Sequence, residues 1–161
     1  KLPKQLSETI ASITLDNAIK VILIFEKRFW PKELHGIICA GCVIPEIWFI
    51  ERSPNDFAVV GFTTSTIADN LQKMGKERAF KEMADQLNRM FGQGKTPASQ
   101  YVASAYHDWS TDPFVRGGYM CVLPKAKRDV LFSFDHPTLY FAGESYGSAF
   151  SSVGAALESG V

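Results

Sequence analysis

A single lysine interrupts an apolar stretch near the start of the chain, AIKVILIFE, residues 18–26. Seven of these nine residues are apolar and several are β-branched, which is typical of a strand buried on both faces. An ammonium group in such a strand is costly unless it meets water, a polar partner or a ligand. Lys20 is therefore either a residue whose head reaches solvent at the strand's start or a functional group.

A second candidate site follows the short apolar stretch at residues 139–142. Gly143 allows a close approach of backbone to a ligand, and Glu144 supplies a carboxylate. A turn rich in glycine and serine then leads into a helix predicted from about Ser152, whose N-terminus favours negative charge. This order of residue types suits a ligand site, although a plain strand-to-helix connection has the same pattern.

Other residues that could do chemistry carry weaker signals. Cys39 and Cys42 have C-x-x-C spacing, but a redox pair is expected at a helix N-terminus and a zinc site needs a second pair. Three cysteines are too few for a disulfide framework, and they favour a reducing, cytoplasmic compartment without fixing one. His35, His107 and His136 share no ligand spacing, so we expect no metal site.

Length and charge limit the function classes. The chain has 161 residues, with 17 basic and 17 acidic side chains, so it lacks the excess of positive charge expected of a nucleic-acid partner. Its longest apolar runs, at 21–25 and 37–44, are shorter than the roughly 20 residues that cross a bilayer. Neither end reads as a natural terminus, and we expect a piece of a longer chain.

The elements that must position these groups follow from periodicity. Apolar stretches at 18–26, 36–44, 46–51 and 57–62 predict four strands joined by short turns, and hence a largely antiparallel sheet. Apolar residues then recur at three- and four-residue spacing up to Phe91, which predicts an amphipathic helix ended by Gly92. Further predictions are a helix or turn at 6–15, a strand at 101–109, a turn at 108–113, a solvated turn at 125–128, a short strand at 139–142 and the final helix.

Four segments become specific when they are taken together and in order. They are 18–31 (AIKVILIFEKRFWP), 108–119 (DWSTDPFVRGGY), 139–144 (LYFAGE) and 153–160 (VGAALESG). Together they resemble the C-terminal half of the flavin-containing amine oxidase family, which includes monoamine oxidases, polyamine oxidases, L-amino-acid oxidases and lysine-specific histone demethylases. The resemblance covers essentially the whole chain.

The resemblance implies an α+β fold. It predicts a mixed, largely antiparallel sheet flanked by helices for residues 1–137, as in the family's substrate domain, and the last strand and helix of an FAD-binding, Rossmann-like domain for residues 138–161. No G-x-G-x-x-G motif occurs in the sequence. We therefore expect the N-terminal half of the same polypeptide to hold FAD, and this piece alone to bind it poorly and to be inactive.

The resemblance also assigns roles to individual residues. Lys20 matches the lysine that holds a water against the flavin N5, and it is the one catalytic candidate. Trp109 and Tyr119 match aromatic groups that face the flavin and surround the amine. Tyr119 follows Gly118 where covalently flavinylated relatives have a cysteine, which predicts non-covalent FAD.

The remaining candidates are residues that would bind the cofactor or line the substrate pocket. Gly143 and Glu144 match the glycine and acid near the ribityl and pyrophosphate region of FAD, and Val153 matches the backbone N–H at the flavin pyrimidine edge. Ser152 departs from the aromatic residue of monoamine oxidases, which leaves room for a larger or secondary amine.

The predicted activity is oxidation of an amine C–N bond to an imine, with O2 as the final acceptor and hydrogen peroxide as a product. The expected partners are therefore a small amine and O2. One alternative is a flavin desaturase or an amino-acid oxidase, for which Arg116 is the motif-adjacent candidate to bind a carboxylate. Another is a flavin-fold interaction module that has lost catalysis.

Overall fold

Two groups of elements account for the chain in a computed structural model that describes residues 2–92, 98, 100–121, 123–147 and 152–160. One compact unit is Asn17–Gly118, and the other consists of Lys1–Asp16 and Tyr119–Val161. The boundary predicted between residues 137 and 138 separates a substrate domain from an FAD-binding domain, and it stays a prediction. The mixed α+β class with antiparallel pairing is confirmed.

The unit Asn17–Gly118 is built on one antiparallel sheet. Its strands in the described residues are β2 (Ala18–Phe25), β3 (Gly36–Ile38), β4 (Glu46–Ser53), β5 (Asp56–Thr64) and β6 (Ala103–Asp108). Their order across the sheet is β3-β4-β5-β2-β6, so β2 pairs with a neighbour on both sides. The positions of β2 are therefore fixed by two registers, and a slip would move every side chain to the other face.

Two helices cover one face of this sheet. They are α2 (Ser65–Met74) and α3 (Lys76–Phe91). On β2 the odd-numbered residues Ile19, Val21 and Leu23 are fully buried against them, together with Leu71 and Met83. The spacing of apolar residues thus predicts α3 correctly, because Phe80, Met83, Ala84 and Leu87 form its buried stripe.

The opposite face of β2 corrects one expectation. Lys20 is exposed and Ile22 and Ile24 are only half-buried, so the strand is not buried on both faces in this chain. We call this side of the sheet the open face, and its exposed apolar residues on β3 and β4 include Ile38, Trp48 and Ile50. The sequence of β2 does not show the alternation of a half-exposed strand, because most residues on its open face are themselves apolar.

The second unit has small elements and its own core. They are α1 (Lys4–Ala11), β1 (Leu15–Asp16), β7 (Tyr119–Met120), α4 (Lys125–Phe132) and α5 (Val153–Glu158). β1 pairs antiparallel with β7. Leu6, Met120, Leu123 and Leu131 form the buried cluster.

Three local predictions are wrong, namely those for residues 36–44, 125–128 and 139–142. The strand predicted at 36–44 ends at Ile38, because Cys39–Cys42 form a turn closed by a disulfide. That pairing also removes the ground for inferring a reducing compartment. Residues 125–128 begin α4 instead of a turn, since Lys125 pairs with Asp129 one helical turn later.

Residues 139–142 are irregular and are not the predicted strand. A strand is stable only where a neighbour accepts and donates its backbone hydrogen bonds, and the described residues place no partner strand beside this segment. None of the described helices is long and apolar enough to cross a membrane.

Candidate functional site

A row of five paired residues crosses the sheet on the open face and contains Lys20. Directly paired residues of antiparallel strands project to the same face. Strand pairing joins Lys20 to Phe62 of β5 on one side and to His107 of β6 on the other. Phe62 pairs in turn with Glu46, and Glu46 with Ile38. We call Ile38, Glu46, Phe62, Lys20 and His107 the cross-strand row.

The side chain of Lys20 lies beside an aromatic ring and keeps its ammonium accessible. Its Nζ is 6.0 Å from the centroid of the Phe62 ring, a distance at which the face of the ring attracts a cation. The residue is exposed, so the open face resolves the cost of a lysine in an apolar strand. An ammonium in this position has three donors for water or another acceptor.

Trp109 lies at the same end of the sheet. It begins a short 3-10 turn, Trp109–Thr111, directly after β6. Its ring meets the ring of His107 edge to face, with 4.1 Å between centroids. Because His107 is the paired neighbour of Lys20, the structure brings the predicted residues Lys20 and Trp109 to one edge of the open face.

A buried carboxylate fixes the turn that carries Trp109. Asp108 is only 7% exposed, and its Oδ1 accepts hydrogen bonds from Ser110 N at 3.0 Å and from Ser110 Oγ at 2.6 Å. Its Oδ2 accepts from Gln72 Nε2 of α2 at 2.5 Å, and Gln72 also donates to Ser110 Oγ. Thr111 Oγ1 donates to the Asp108 carbonyl. The turn is therefore tied both to itself and to the helix layer.

A second aspartate shapes the loop that leads to Gly118. Asp112 Oδ1 accepts from the backbone N–H groups of Phe114 and Val115, and these bonds hold the pKa of that carboxyl below its ordinary value. Arg116, the candidate for binding a substrate carboxylate, has φ 62° and donates from Nε to the Pro113 carbonyl. Gly118 follows in an exposed position.

The other unit holds the second group of predicted residues. Glu144 Oε1 accepts from Met120 N at 3.0 Å, so the acid is fixed beside β7, where Tyr119 is partly exposed. Gly143 has φ 143°, a conformation that favours glycine, and a Cβ there would meet no atom within 4 Å. Its N–H and carbonyl both bind Ser159 Oγ near the end of α5.

Ser152 and Val153 stand at the start of α5. Ser152 caps the helix, because its Oγ accepts from Ala155 N at 3.1 Å, and Val153 is 78% exposed. Ser159, directly after this short helix, is hydrogen-bonded to the backbone of Gly143. The structure thus gathers Tyr119, Gly143, Glu144, Ser152 and Val153 within one unit, while Lys20, Trp109 and Gly118 belong to the other.

Sequence reasoning missed several residues around Lys20. Phe62, His107 and Glu46 join the cross-strand row only through strand pairing, and Gln72 reaches Asp108 from a helix 36 residues away. For His107 a signal was present, since alternation places it on one face and Trp109 follows two residues later. No group of three or more His, Cys, Asp and Glu in the described part of the chain is placed to hold a metal ion.

Comparison with known proteins gives a consistent result. The model of the family described as flavin containing amine oxidoreductase matches residues 1–161. Polyamine oxidase 2 of Arabidopsis thaliana is 29% identical over 93% of this chain and 31% of its own length. Polyamine oxidase 4 of Oryza sativa subsp. japonica is 26% identical over 100% of this chain and 33% of its own. The chain thus spans about a third of the length of these relatives.

Solved structures show the same fold at lower identity. Putrescine oxidase bound to putrescine matches 99% of this chain and 36% of its own, with a TM-score of 0.82 and 20% identity. Cyclohexylamine oxidase from Brevibacterium oxydans IH-35A matches 99% and 36%, with a TM-score of 0.83 and 14% identity.

Proposed function

This chain belongs to the flavin containing amine oxidoreductase family, and from that membership we propose that it is part of an FAD-dependent amine oxidase. The proposed reaction removes a hydride equivalent from the carbon that bears a neutral amine, and water hydrolyses the resulting imine to an aldehyde or keto acid. Bound FAD would supply the two-electron acceptor and pass the electrons to O2, which yields hydrogen peroxide.

The observation that carries the proposal is the placement of Lys20 on the open face. Its ammonium is exposed beside Phe62, and its paired neighbour His107 touches Trp109. Here the Phe62 ring lies on one side of the ammonium, whose three N–H donors can bind a water on the open face.

Lys20 is thus the proposed catalytic residue, and the family pattern assigns three residues to the amine pocket of the proposed enzyme. Trp109 supplies an aromatic wall, and it lies on the turn that Asp108 fixes. Tyr119 and Ser152 join the pocket on the strength of the family pattern, with Tyr119 as a second aromatic wall and Ser152 as a small residue that leaves space. Such walls exclude water and tolerate a cationic amine over their faces before it loses its proton.

The residues proposed to hold FAD fit such a group in two respects. Gly143 has a backbone that a ligand can approach, since the side on which a Cβ would lie is open within 4 Å. Glu144 accepts a hydrogen bond from the Met120 N–H, and a carboxylate is an acceptor of the kind that binds hydroxyl groups. Gly118 and the backbone of Val153 complete the proposed set.

Attachment of FAD is proposed to be non-covalent, because Tyr119 follows Gly118. The ADP portion is assigned to a dinucleotide-binding domain outside this chain, because the sequence contains no G-x-G-x-x-G. That domain is the proposed partner, and we expect this chain alone to be inactive.

Polyamines are the first substrate class to test. The curated relatives described above are named polyamine oxidases. An amino-acid oxidase is not favoured by any contact in the described residues, since Arg116 Nε is bound to the carbonyl of its own loop.

The test is the visible spectrum of the intact protein before and after anaerobic addition of polyamines, simple primary amines and amino acids. We expect bound flavin that is bleached by one amine class. In Lys20→Met we expect reoxidation by O2 to slow by about tenfold or more, because loss of one well-placed donor raises a barrier by roughly 1.4 kcal/mol or more.

A matched control is Lys27→Met, which removes an exposed lysine two residues after β2 and outside the cross-strand row. It should reoxidise at the rate of the unchanged protein. Flavin that binds but is never bleached would support a desaturase or an interaction module instead. Absence of flavin from the intact protein would refute the proposal.

A further inference from the structure

The turn between β3 and β4 holds a cysteine pair that the proposed oxidation does not use. Cys39 and Cys42 are joined there by a disulfide. We propose that this pair is a reversible thiol–disulfide site, which a peroxide oxidises and a small thiol reduces.

Backbone geometry alone brings the two thiols together. The Cα atoms are 5.7 Å apart, inside the range that a disulfide spans without backbone movement. Cys42 N donates to the Cys39 carbonyl at 3.3 Å, which closes a four-residue turn. Gly41 has φ 77° at the third position of this turn, where a positive φ favours glycine.

The turn is anchored by contacts that do not involve sulfur. Cys39 N donates to the Pro45 carbonyl at 2.7 Å. The buried side chain of Gln86 in α3 accepts from Ile44 N at 3.2 Å and donates to the Ile44 carbonyl at 2.7 Å. Because these bonds persist when the disulfide is reduced, the two thiols stay within pairing distance and can close again.

A purely structural role explains this disulfide poorly. A disulfide stabilises a fold mainly by restricting the unfolded chain, and that restriction is small when the cysteines are three positions apart. It joins no distant segments, because β3 and β4 are already paired by their own ladder. The main consequence of forming or breaking this bond is therefore a change in the oxidation state of the two sulfur atoms, with little change in the stability of the fold.

Reagents can reach the site. Ala40 and Gly41 are exposed at the tip of the turn, and both cysteines are half-buried. The remaining cysteine, Cys121, belongs to the other unit and donates its thiol to Asp16 Oδ1 at 3.3 Å. It serves as an internal reference for thiol reactivity.

The reaction balances with one peroxide. A cysteine thiolate attacks one oxygen of hydrogen peroxide and becomes a sulfenic acid as the O–O bond breaks. The other oxygen leaves as hydroxide, which takes up the proton that the thiol had lost and becomes water. The second thiol then displaces the sulfenic oxygen as a second water, so two thiols are oxidised and one peroxide is reduced. An added dithiol reverses the bond by thiol–disulfide exchange.

If the proposed function holds, the hydrogen peroxide that it produces is formed near the cysteine pair and can oxidise it. Ile38, directly before Cys39, ends the cross-strand row that contains Lys20. Three strand spacings separate β3 from β2, which is about 14 Å. Peroxide from any other source would serve equally, so the inference does not depend on amine oxidation.

The test counts thiols on the intact protein by alkylation and intact mass. After reduction with dithiothreitol and its removal, we expect the label on both Cys39 and Cys42. After addition of hydrogen peroxide we expect both to lose the label, the mass to fall by two hydrogen atoms, and dithiothreitol to restore both. Cys121→Ser should cycle unchanged, and Cys42→Ser should retain a single oxidisable thiol at Cys39 without closing the bond.

Three outcomes would overturn the inference. They are thiols that keep their label in peroxide, oxidation of a single cysteine that adds oxygen without forming a bond, and a disulfide that dithiothreitol cannot open in the folded protein. Each is read independently of amine turnover, so a failure here and a failure of the proposed oxidase activity are distinguishable.

Discussion

The two groups of candidate residues are supported in very different ways. At the end of the sheet, Lys20 and Trp109 rest on a strand paired on both sides and on a buried carboxylate that reaches helix α2. We call this group the sheet end. Gly143, Glu144, Ser152 and Val153, which we call the C-terminal loop, rest on a two-residue ladder, a 3-10 turn and a six-residue helix.

The difference shows where geometry is fixed by many contacts and where it depends on few. A side chain in the middle of a sheet cannot move without breaking two ladders. A short helix near a turn can move as a unit, because few buried groups hold it. The sheet end should therefore tolerate single changes better than the C-terminal loop, and this expectation can be broken by mutation.

Gly147→Ala should give the largest effect. A Cβ at Gly147 would lie 2.5 Å from Cα and Cβ of Ala155, which is buried in α5. Backbone cannot rotate away as a side chain can, so α5 must shift, at a cost of about 3 kcal/mol in the free energy of unfolding. Hydrogen exchange of the α5 amides, read beside denaturant unfolding, would measure it.

Two matched glycines calibrate this result. Gly154→Ala, within α5 itself, places its Cβ 3.8 Å from Ser152 Oγ and should be neutral or stabilising by about 1 kcal/mol. Gly61→Ala at the sheet would place its Cβ 2.6 Å from Cγ2 of the buried, β-branched Ile44 and 3.2 Å from Sδ of the flexible Met83, and should cost about 2 kcal/mol. If Gly61→Ala proved more damaging than Gly147→Ala, the ranking of the two regions would be reversed.

Asp108→Ala tests the carboxylate that supports the sheet end. The change leaves Ser110 N and the Gln72 amide without their acceptor, and we expect a loss of about 2 kcal/mol in the free energy of unfolding. Trp109 should also become more accessible, and because the chain has three tryptophans its fluorescence quenching is measured as the difference from Trp109→Phe in the same background. Asp112→Ala, which removes an acceptor from an exposed turn, is the control and should cost less than Asp108→Ala.

Equal losses in the two aspartate variants would mean that burial of Asp108 adds nothing to its capping role. An unchanged quenching of Trp109 would show that His107 alone holds the ring. Either outcome would weaken the view that the sheet end is fixed through the helix layer.

Much of the fold could be predicted from the sequence because its signals are local. The apolar stripe of α3 and the alternation in β6 need no distant residue for their recognition. The cross-strand row could not be predicted, because the pairing of Glu46, Phe62 and Lys20 is decided by register between strands. Gln72 likewise reaches Asp108 only after the helix has packed.

The segment directly before the C-terminal loop shows the opposite case. The sequence predicts a strand at 139–142 from local preference, and the described residues supply no partner for its backbone groups. The start of α5 is predicted correctly, because the Ser152 cap is a local signal. The turn at 39–42 has a local signal too, in Gly41, although C-x-x-C spacing without a helix N-terminus is only a weak signal for a paired disulfide.

Two tyrosines give the smallest effect and compare the regions directly. Burial raises the pKa of Tyr106 beside the sheet end and of Tyr146 beside the C-terminal loop above the ordinary 10.0, and Asp108 adds to the rise for Tyr106. Because the unfolded chain loses these protons first, their contribution to stability is complete below pH 10.0 and declines as the pH rises beyond it. Tyrosinate absorbance of Tyr106→Phe and Tyr146→Phe assigns each titration. In Asp108→Asn we expect the pKa of Tyr106 to fall part of the way toward its ordinary value, while the pKa of Tyr146 does not change. An equal fall in both pKa values would show that the two tyrosines do not report on their regions separately.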